Sequence, residues 1–232
     1  MRMKIFLKPA LAMMGMLSVL SAASAQSPTP PEPRQPLLPR APANASWSVA
    51  FKYSREEKTS GTNTQPRPLG ELPRTVVITK VNTVYREQIE LATGKKVERW
   101  DFGGTVFNSD TEGTVFLDAP PTEDTPSPDY YDRRSSDFPE LSWISKATYR
   151  GVGNFQGKQA FHFETERDGR KLSAYISLDS QMPLWFSDGM AFRTYTFNPP
   201  PAGPLVPPPD FVSAYNRHKQ AMEAAKVGHS PP

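Results

Sequence analysis

The stretch Lys158–Phe197, KQAFHFETERDGRKLSAYISLDSQMPLWFSDGMAFRTYTF, decides the class of fold. It divides into Lys158–Glu166, Lys171–Leu178, Leu184–Phe186 and Ala191–Phe197, each with apolar and polar residues in alternation. Successive side chains of a strand point to opposite faces of a sheet, so this alternation marks strands with two unlike faces. Two of the breaks are Asp168-Gly169 and Asp188-Gly189. Asp-Gly between alternating segments predicts a tight hairpin, because glycine takes a positive φ at no steric cost. The stretch is an antiparallel meander.

The same period of two extends toward the N-terminus. Trp143–Arg150 is expected as the preceding strand, ended by Gly151-Val152-Gly153-Asn154. Further back, Trp47, Val49, Phe51 and Tyr53 alternate with Ser48, Ala50 and Lys52 in a first strand. Thr75–Leu91 is one long strand, or two joined by a bend near Asn82, with Val77, Val81, Tyr85, Ile89 and Leu91 on one parity. Val97–Phe102 returns antiparallel after the turn Ala92–Lys95, and Thr105–Asn108 with Thr114–Asp118 forms a further hairpin. No segment within 46–197 has a helical period.

Proline marks what lies between and beyond. Of 26 prolines, seven fall in 28–42, five in 120–139 and seven in 199–209. Proline lacks a backbone donor and cannot sit inside a sheet ladder, so all three stretches are expected outside the core. Residues 26–45 then form a disordered spacer, 118–140 a long acidic loop, and 198–209 a polyproline bridge. Beyond the bridge, Phe211, Ala214, Tyr215, His218, Ala221, Met222 and Ala225 share one face at helical spacing. A helix is expected over 210–227, followed by a short tail, 228–232. The domain proper is 46–197 and mainly β.

Residues 1–25 have the form of a secretory signal. Arg2, Lys4 and Lys8 precede a broken apolar stretch, and Ala23-Ser24-Ala25 is a small-x-small cleavage signature. The expected product is exported, to a periplasm or the exterior, with no membrane span in the mature chain. Removing those three basic residues leaves Lys+Arg equal to the 24 Asp+Glu. A chain without basic surplus is a poor nucleic-acid binder, and that class is discounted.

Motifs for chemistry are sparse. There is no cysteine, which excludes disulfides, thiolate metal sites and a cysteine nucleophile. The sequence has no G-x-S-x-G and no phosphate-binding loop, and the 118–140 carboxylates lack calcium-loop spacing. His162, Glu164 and Glu166 share one face of a strand with Phe161 and Phe163 on the other. That is the ordinary polar face of a half-buried strand. No enzyme activity, metal or cofactor is expected.

Aromatic residues are the informative surplus. Trp185 opposes Leu184 and Phe186, and Tyr175 opposes Leu172, Ile176 and Leu178, so both sheet faces carry large apolar groups. The second face must be covered or used. The candidate ligand-lining residues are Tyr175, Trp185, Arg193 and Tyr195, with Phe211, Tyr215 and Met222 of the helix as cover.

Ala174–Asp179, Met182-Pro183-Leu184, Asp188-Gly189 and Tyr195-Thr196-Phe197, leading to Pro208-Pro209-Asp210-Phe211, resemble the closing strands of the periplasmic lipoprotein-carrier proteins. The resemblance spans about residues 171–211. It implies a single curved antiparallel sheet, or incomplete β-barrel, with a C-terminal helix and an apolar cavity for acyl chains. The carriers' early amphipathic helices have no counterpart here. The function so implied is binding of an apolar small molecule or acyl chain. The alternative is a non-catalytic envelope module whose proline-rich arms bind a partner protein.

Overall fold

The computed structural model describes residues 31–35, 37–54, 72–118, 133 and 136–228. The signal-like segment and most of the acidic loop lie outside the described residues. What is described is one open antiparallel sheet of eleven strands with one C-terminal helix. Strands β1 (Asn44–Tyr53), β2 (Pro73–Val81), β3 (Val84–Leu91), β4 (Lys96–Phe102), β5 (Thr105–Ser109) and β6 (Val115–Leu117) form a first meander. Strands β7 (Tyr149–Phe155), β8 (Lys158–Arg167), β9 (Arg170–Ser177), β10 (Pro183–Ser187) and β11 (Ala191–Asn198) form a second. The two join where β1 pairs with β11, which leaves β6 and β7 as the outer edges.

The Asp-Gly hairpins form as the sequence predicts. At the β8–β9 turn Asp168 (φ 53°) and Gly169 (φ 69°) both take the left-handed region, the mirror-type turn that matches strand twist. Thr75–Leu91 resolves into two strands, with Val81 paired to Val84 across Asn82-Thr83. A two-residue turn reverses parity, so β2 buries Val76 and Ile78 while β3 buries Tyr85 and Glu87. The single parity expected across the whole segment is therefore corrected.

The strand expected over Trp143–Arg150 is also displaced. Lys146–Thr148 is a 3-10 turn, and the strand runs from Tyr149 to Phe155 through the glycines read as its terminator. Gly151 (φ 108°) sits where the β7–β8 register shifts, the mark of a bulge. A Cβ on Gly153 would lie 2.9 Å from the Tyr175 ring. This glycine makes room for a neighbour rather than ending a strand.

One sheet face carries the main core: Trp47, Val49, Val76, Ile78, Phe161, Phe163, Ala174, Ile176, Phe186 and Tyr195. The proline-flanked segments expected outside the core contribute to it. Leu37, Leu38 and Ala41 pack against it, and Phe138, Leu141 and Ile144 are buried within it. Proline kept these stretches out of the ladder but not out of the interior.

Helix α1 (Pro209–Gly228) begins with Pro209 and Asp210, which suit the orphan amides and positive dipole of a first turn. Its Phe211 and Ala214 are buried with Trp100 and Phe107 in a second, smaller cluster. A Cβ on Gly103 at the β4–β5 turn would meet the Tyr215 ring at 2.8 Å, so a glycine there is what admits the helix.

Candidate functional site

The inner face is divided by the segment Asp137–Ile144, which crosses beneath it. Asp137 accepts hydrogen bonds from the Ala41 amide (3.0 Å), Lys80 Nζ (2.7 Å) and Tyr85 Oη (2.8 Å). Burial, with the Asp137 carboxylate beside it, pushes the Tyr85 phenol well above its ordinary range. Phe138 stands against Trp47 at 5.2 Å and Tyr195 at 6.1 Å. The Tyr195 hydroxyl donates to Glu140 (2.7 Å), and burial together with that carboxylate raises its pKa strongly. These contacts fill the half of the inner face over β8–β11 and close the Lys80–Tyr85 end of the strands.

The other half is open. A cavity of about 420 Å³ lies against the inner faces of β1–β6. Strand register orders its wall into cross-strand rows, because directly paired residues share a face. One row is apolar: Val49, Val76, Ile89 and Val97. A second, two residues along, runs Ile78, Glu87, Arg99, Asn108 and Phe116. Leu72, Pro73, Leu91, Phe51 and Tyr53 line the cavity on the opposite side of the apolar row. These last are half-buried and Phe116 at the β6 edge is 48% exposed, whereas Tyr85, Asp137 and Phe138 beyond the second row are buried.

Within the wall, Glu87 is 6% exposed and Arg99 6% exposed, and Arg133 comes in beside them. Arg133 Nε donates to Glu87, and its Nη1 donates to the Asp137 carbonyl (2.7 Å). Arg99 lies 3.5 Å from Glu87 and 3.4 Å from Asp118. Burial alone would raise the Glu87 pKa, but Arg133 and Arg99 outweigh it and hold the carboxyl below its usual range. Arg193 and Glu140 close the β11 side; Arg193 lies over the Phe186 ring (4.9 Å) and 3.1 Å from Asp188.

The sequence reading missed Glu87, Arg99, Asn108 and Arg133. A signal was present, since Glu87 falls on the same parity as Tyr85, Ile89 and Leu91. A carboxylate in the apolar phase of a strand calls for a buried partner. Which partner, only the β3–β4 register reveals.

The residues proposed to line a ligand face are not brought together. Phe186 pairs with Arg193, so Arg193 and Tyr195 belong to the inner face, and Trp185, paired with Tyr175 and Thr194, belongs to the outer. Trp185 lies 5.8 Å from Tyr175, 6.1 Å from Phe155 and 6.0 Å from Phe192. Phe211 and Tyr215 do cover the outer face, but at its far end, where they meet Trp100 (6.1 Å) and Phe102 (5.3 Å). Met222 is 51% exposed. The helix stripe found apolar partners on β4 and β5 rather than on the second meander.

Trp185→Ala should act on stability through the outer face alone. Half-burial of an aromatic ring is worth roughly 1–2 kcal/mol, and loss on that scale in urea unfolding is expected. The cavity wall should be unaffected, because Trp185 lies on the opposite face of the sheet.

His162 stacks on Tyr175 (4.8 Å) and lies 3.1 Å from Ser173 Oγ. Burial lowers its pKa, with Glu164 acting against the shift. Among the described residues no cluster of three or more metal-ligating side chains occurs, and no helix is long and apolar enough to cross a membrane. The tail of the first proline stretch is held by its own chain: Tyr149 Oη donates to the Pro31 carbonyl (2.8 Å) and Gln181 to that of Arg34 (3.3 Å).

No protein-family model matches this chain, and no curated protein matches it in sequence. Among solved structures it is similar to the crystal structure of the Mycobacterium tuberculosis lipoprotein LppX. The TM-score is 0.38 and the identity 8%, over 71% of this chain and 90% of that one.

Proposed function

We propose that the protein is an exported, non-catalytic binding protein that shelters an apolar ligand or acyl chain in the cavity beneath β1–β6. The carrying observation is that cavity: about 420 Å³ of space against the apolar row Val49, Val76, Ile89 and Val97. Interiors are close-packed, so a sheet whose only task was structural would fill both halves of its inner face. Here the segment Asp137–Ile144 fills one half and stops. The volume lies within the roughly 300–1,000 Å³ of small-molecule sites, enough for one chain rather than several. No covalent step enters this reading.

Ile89→Trp tests it. Ile89 is half-buried at the centre of the apolar row, so an indole there occupies the space a ligand would use. Affinity for a fluorescent fatty-acid analogue should fall at least about tenfold, roughly 1.4 kcal/mol. The unfolding midpoint should stay near that of the parent, because the ring enters empty space rather than a packed core. A parent protein that takes up no apolar probe, and yields none on organic extraction, would sink the proposal.

A further inference from the structure

We infer that the segment Asp137–Ile144 sets the ligand's class: it takes the place of a second acyl chain, so the cavity admits single-chain ligands and excludes two-chain ones. The inference rests on the cavity being the ligand site and adds what limits its contents. The inner face is apolar across both meanders, from Val49, Val76 and Ile78 to Phe161, Ile176 and Phe186. Over the second meander it is met by one file of side chains, Phe138, Leu141 and Ile144, which are 1%, 0% and 5% exposed. The amides of Leu141, Ser142 and Ile144 donate to carbonyls three residues back, and that winding turns every third side chain to the same side. The segment runs from Trp47 of β1, against Phe138, to Phe186 of β10, against Trp143. It is a narrow rod with an apolar stripe toward the sheet, the form of a hydrocarbon chain laid there.

The rod is fixed in place. Asp137 at its start accepts from Ala41, Lys80 and Tyr85, Arg133 donates to the Asp137 carbonyl, and Tyr195 donates to Glu140. An apolar ligand that displaced it would strand those donors and acceptors and offer no partners of its own. The border between rod and cavity adds a second barrier. Glu140, Arg133 and Arg193 line the cavity there, and each is engaged: Glu140 by Tyr195, Arg133 by Glu87 and Arg193 by Asp188. A second hydrocarbon chain laid on this border would replace whatever else solvates three ionic side chains, and it returns nothing for their desolvation. One chain against Val49, Val76, Ile89 and Val97 meets no such cost.

The probes are a monoacylglycerol and a diacylglycerol that carry the same fluorescent chain, each titrated into the full protein below its aggregation concentration. A second chain adds apolar area, so a cavity with room for it would bind the diacylglycerol more tightly. The parent is expected to bind it no more tightly than the monoacylglycerol. Leu141→Ala cuts back the file at its centre, and the ratio of affinities should move at least about threefold toward the diacylglycerol. Should that variant fold poorly, Glu140→Leu combined with Tyr195→Phe replaces a bonded pair by apolar groups of similar shape, which leaves stability near the parent's. It removes one pin of the rod and part of the charged border, so the same shift is expected. Tighter binding of the diacylglycerol by the parent, or an unmoved ratio in the folded variant, overturns the selectivity and leaves the cavity as the ligand site. Uptake of neither probe by the parent overturns the site and the selectivity together.

Discussion

Asp137→Ala should cost about 3–5 kcal/mol of folding stability, read as a fall in the urea midpoint at constant slope. The carboxylate is 5% exposed and takes three donors, from Ala41, Lys80 and Tyr85, that belong to three separate stretches of chain. Removing it leaves the Tyr85 phenol and the Ala41 amide without this acceptor, and leaves the partly buried Lys80 ammonium only the Ala41 carbonyl at 3.5 Å. Asp137→Asn keeps one acceptor oxygen, enough for the Ala41 amide or for the Lys80 and Tyr85 donors but not for both sides, and withdraws the charge opposite Lys80, so a smaller but still clear loss is expected. A change below about 1 kcal/mol for the alanine variant would place this pairing with ordinary surface ion pairs. The segment Asp137–Ile144 would then be held by its apolar residues alone.

Trp47→Ala should be comparably severe, about 3–5 kcal/mol, by loss of buried area and the cavity left behind. Trp47 is fully buried, pairs with Ile78 on one side and Phe197 on the other, and lies against Phe138. It stands at the junction of the two meanders and meets the segment that crosses beneath them. A double-mutant cycle with Phe138→Ala should return a coupling of about 0.5–1.5 kcal/mol, the range of a packed aromatic pair. Additive losses would show that the two rings sit together without depending on each other.

Much of the architecture was legible along the chain because strands and tight turns are local. The hairpin at Asp168-Gly169, the alternation of Phe161 and Phe163 with His162 and Glu164, and the start of the helix at Pro209-Asp210 need only neighbours a few residues away. Glycine was misread where its role was long-range. Gly153 yields space to Tyr175, and no residue near Gly153 in sequence reveals that. The face assignment failed at Arg193 for a related reason. Parity within β10 and within β11 was read correctly, but which parity of one strand meets which of the next is a matter of register.

The sequence by itself determined a mainly antiparallel β domain with a C-terminal helix, since side-chain alternation and turn chemistry act within a strand and its hairpin. Tertiary structure decided where the space is. Asp137 meets Lys80 and Tyr85 across more than fifty residues, Arg133 meets Glu87 across 46, and the helix docks on β4–β6 rather than on the aromatic face of β9 and β10. Those pairings depend on how a sheet of eleven strands curves and on what a chain segment far away in sequence fills. A cavity is the volume that such long-range packing leaves empty, so no local pattern of residues records it.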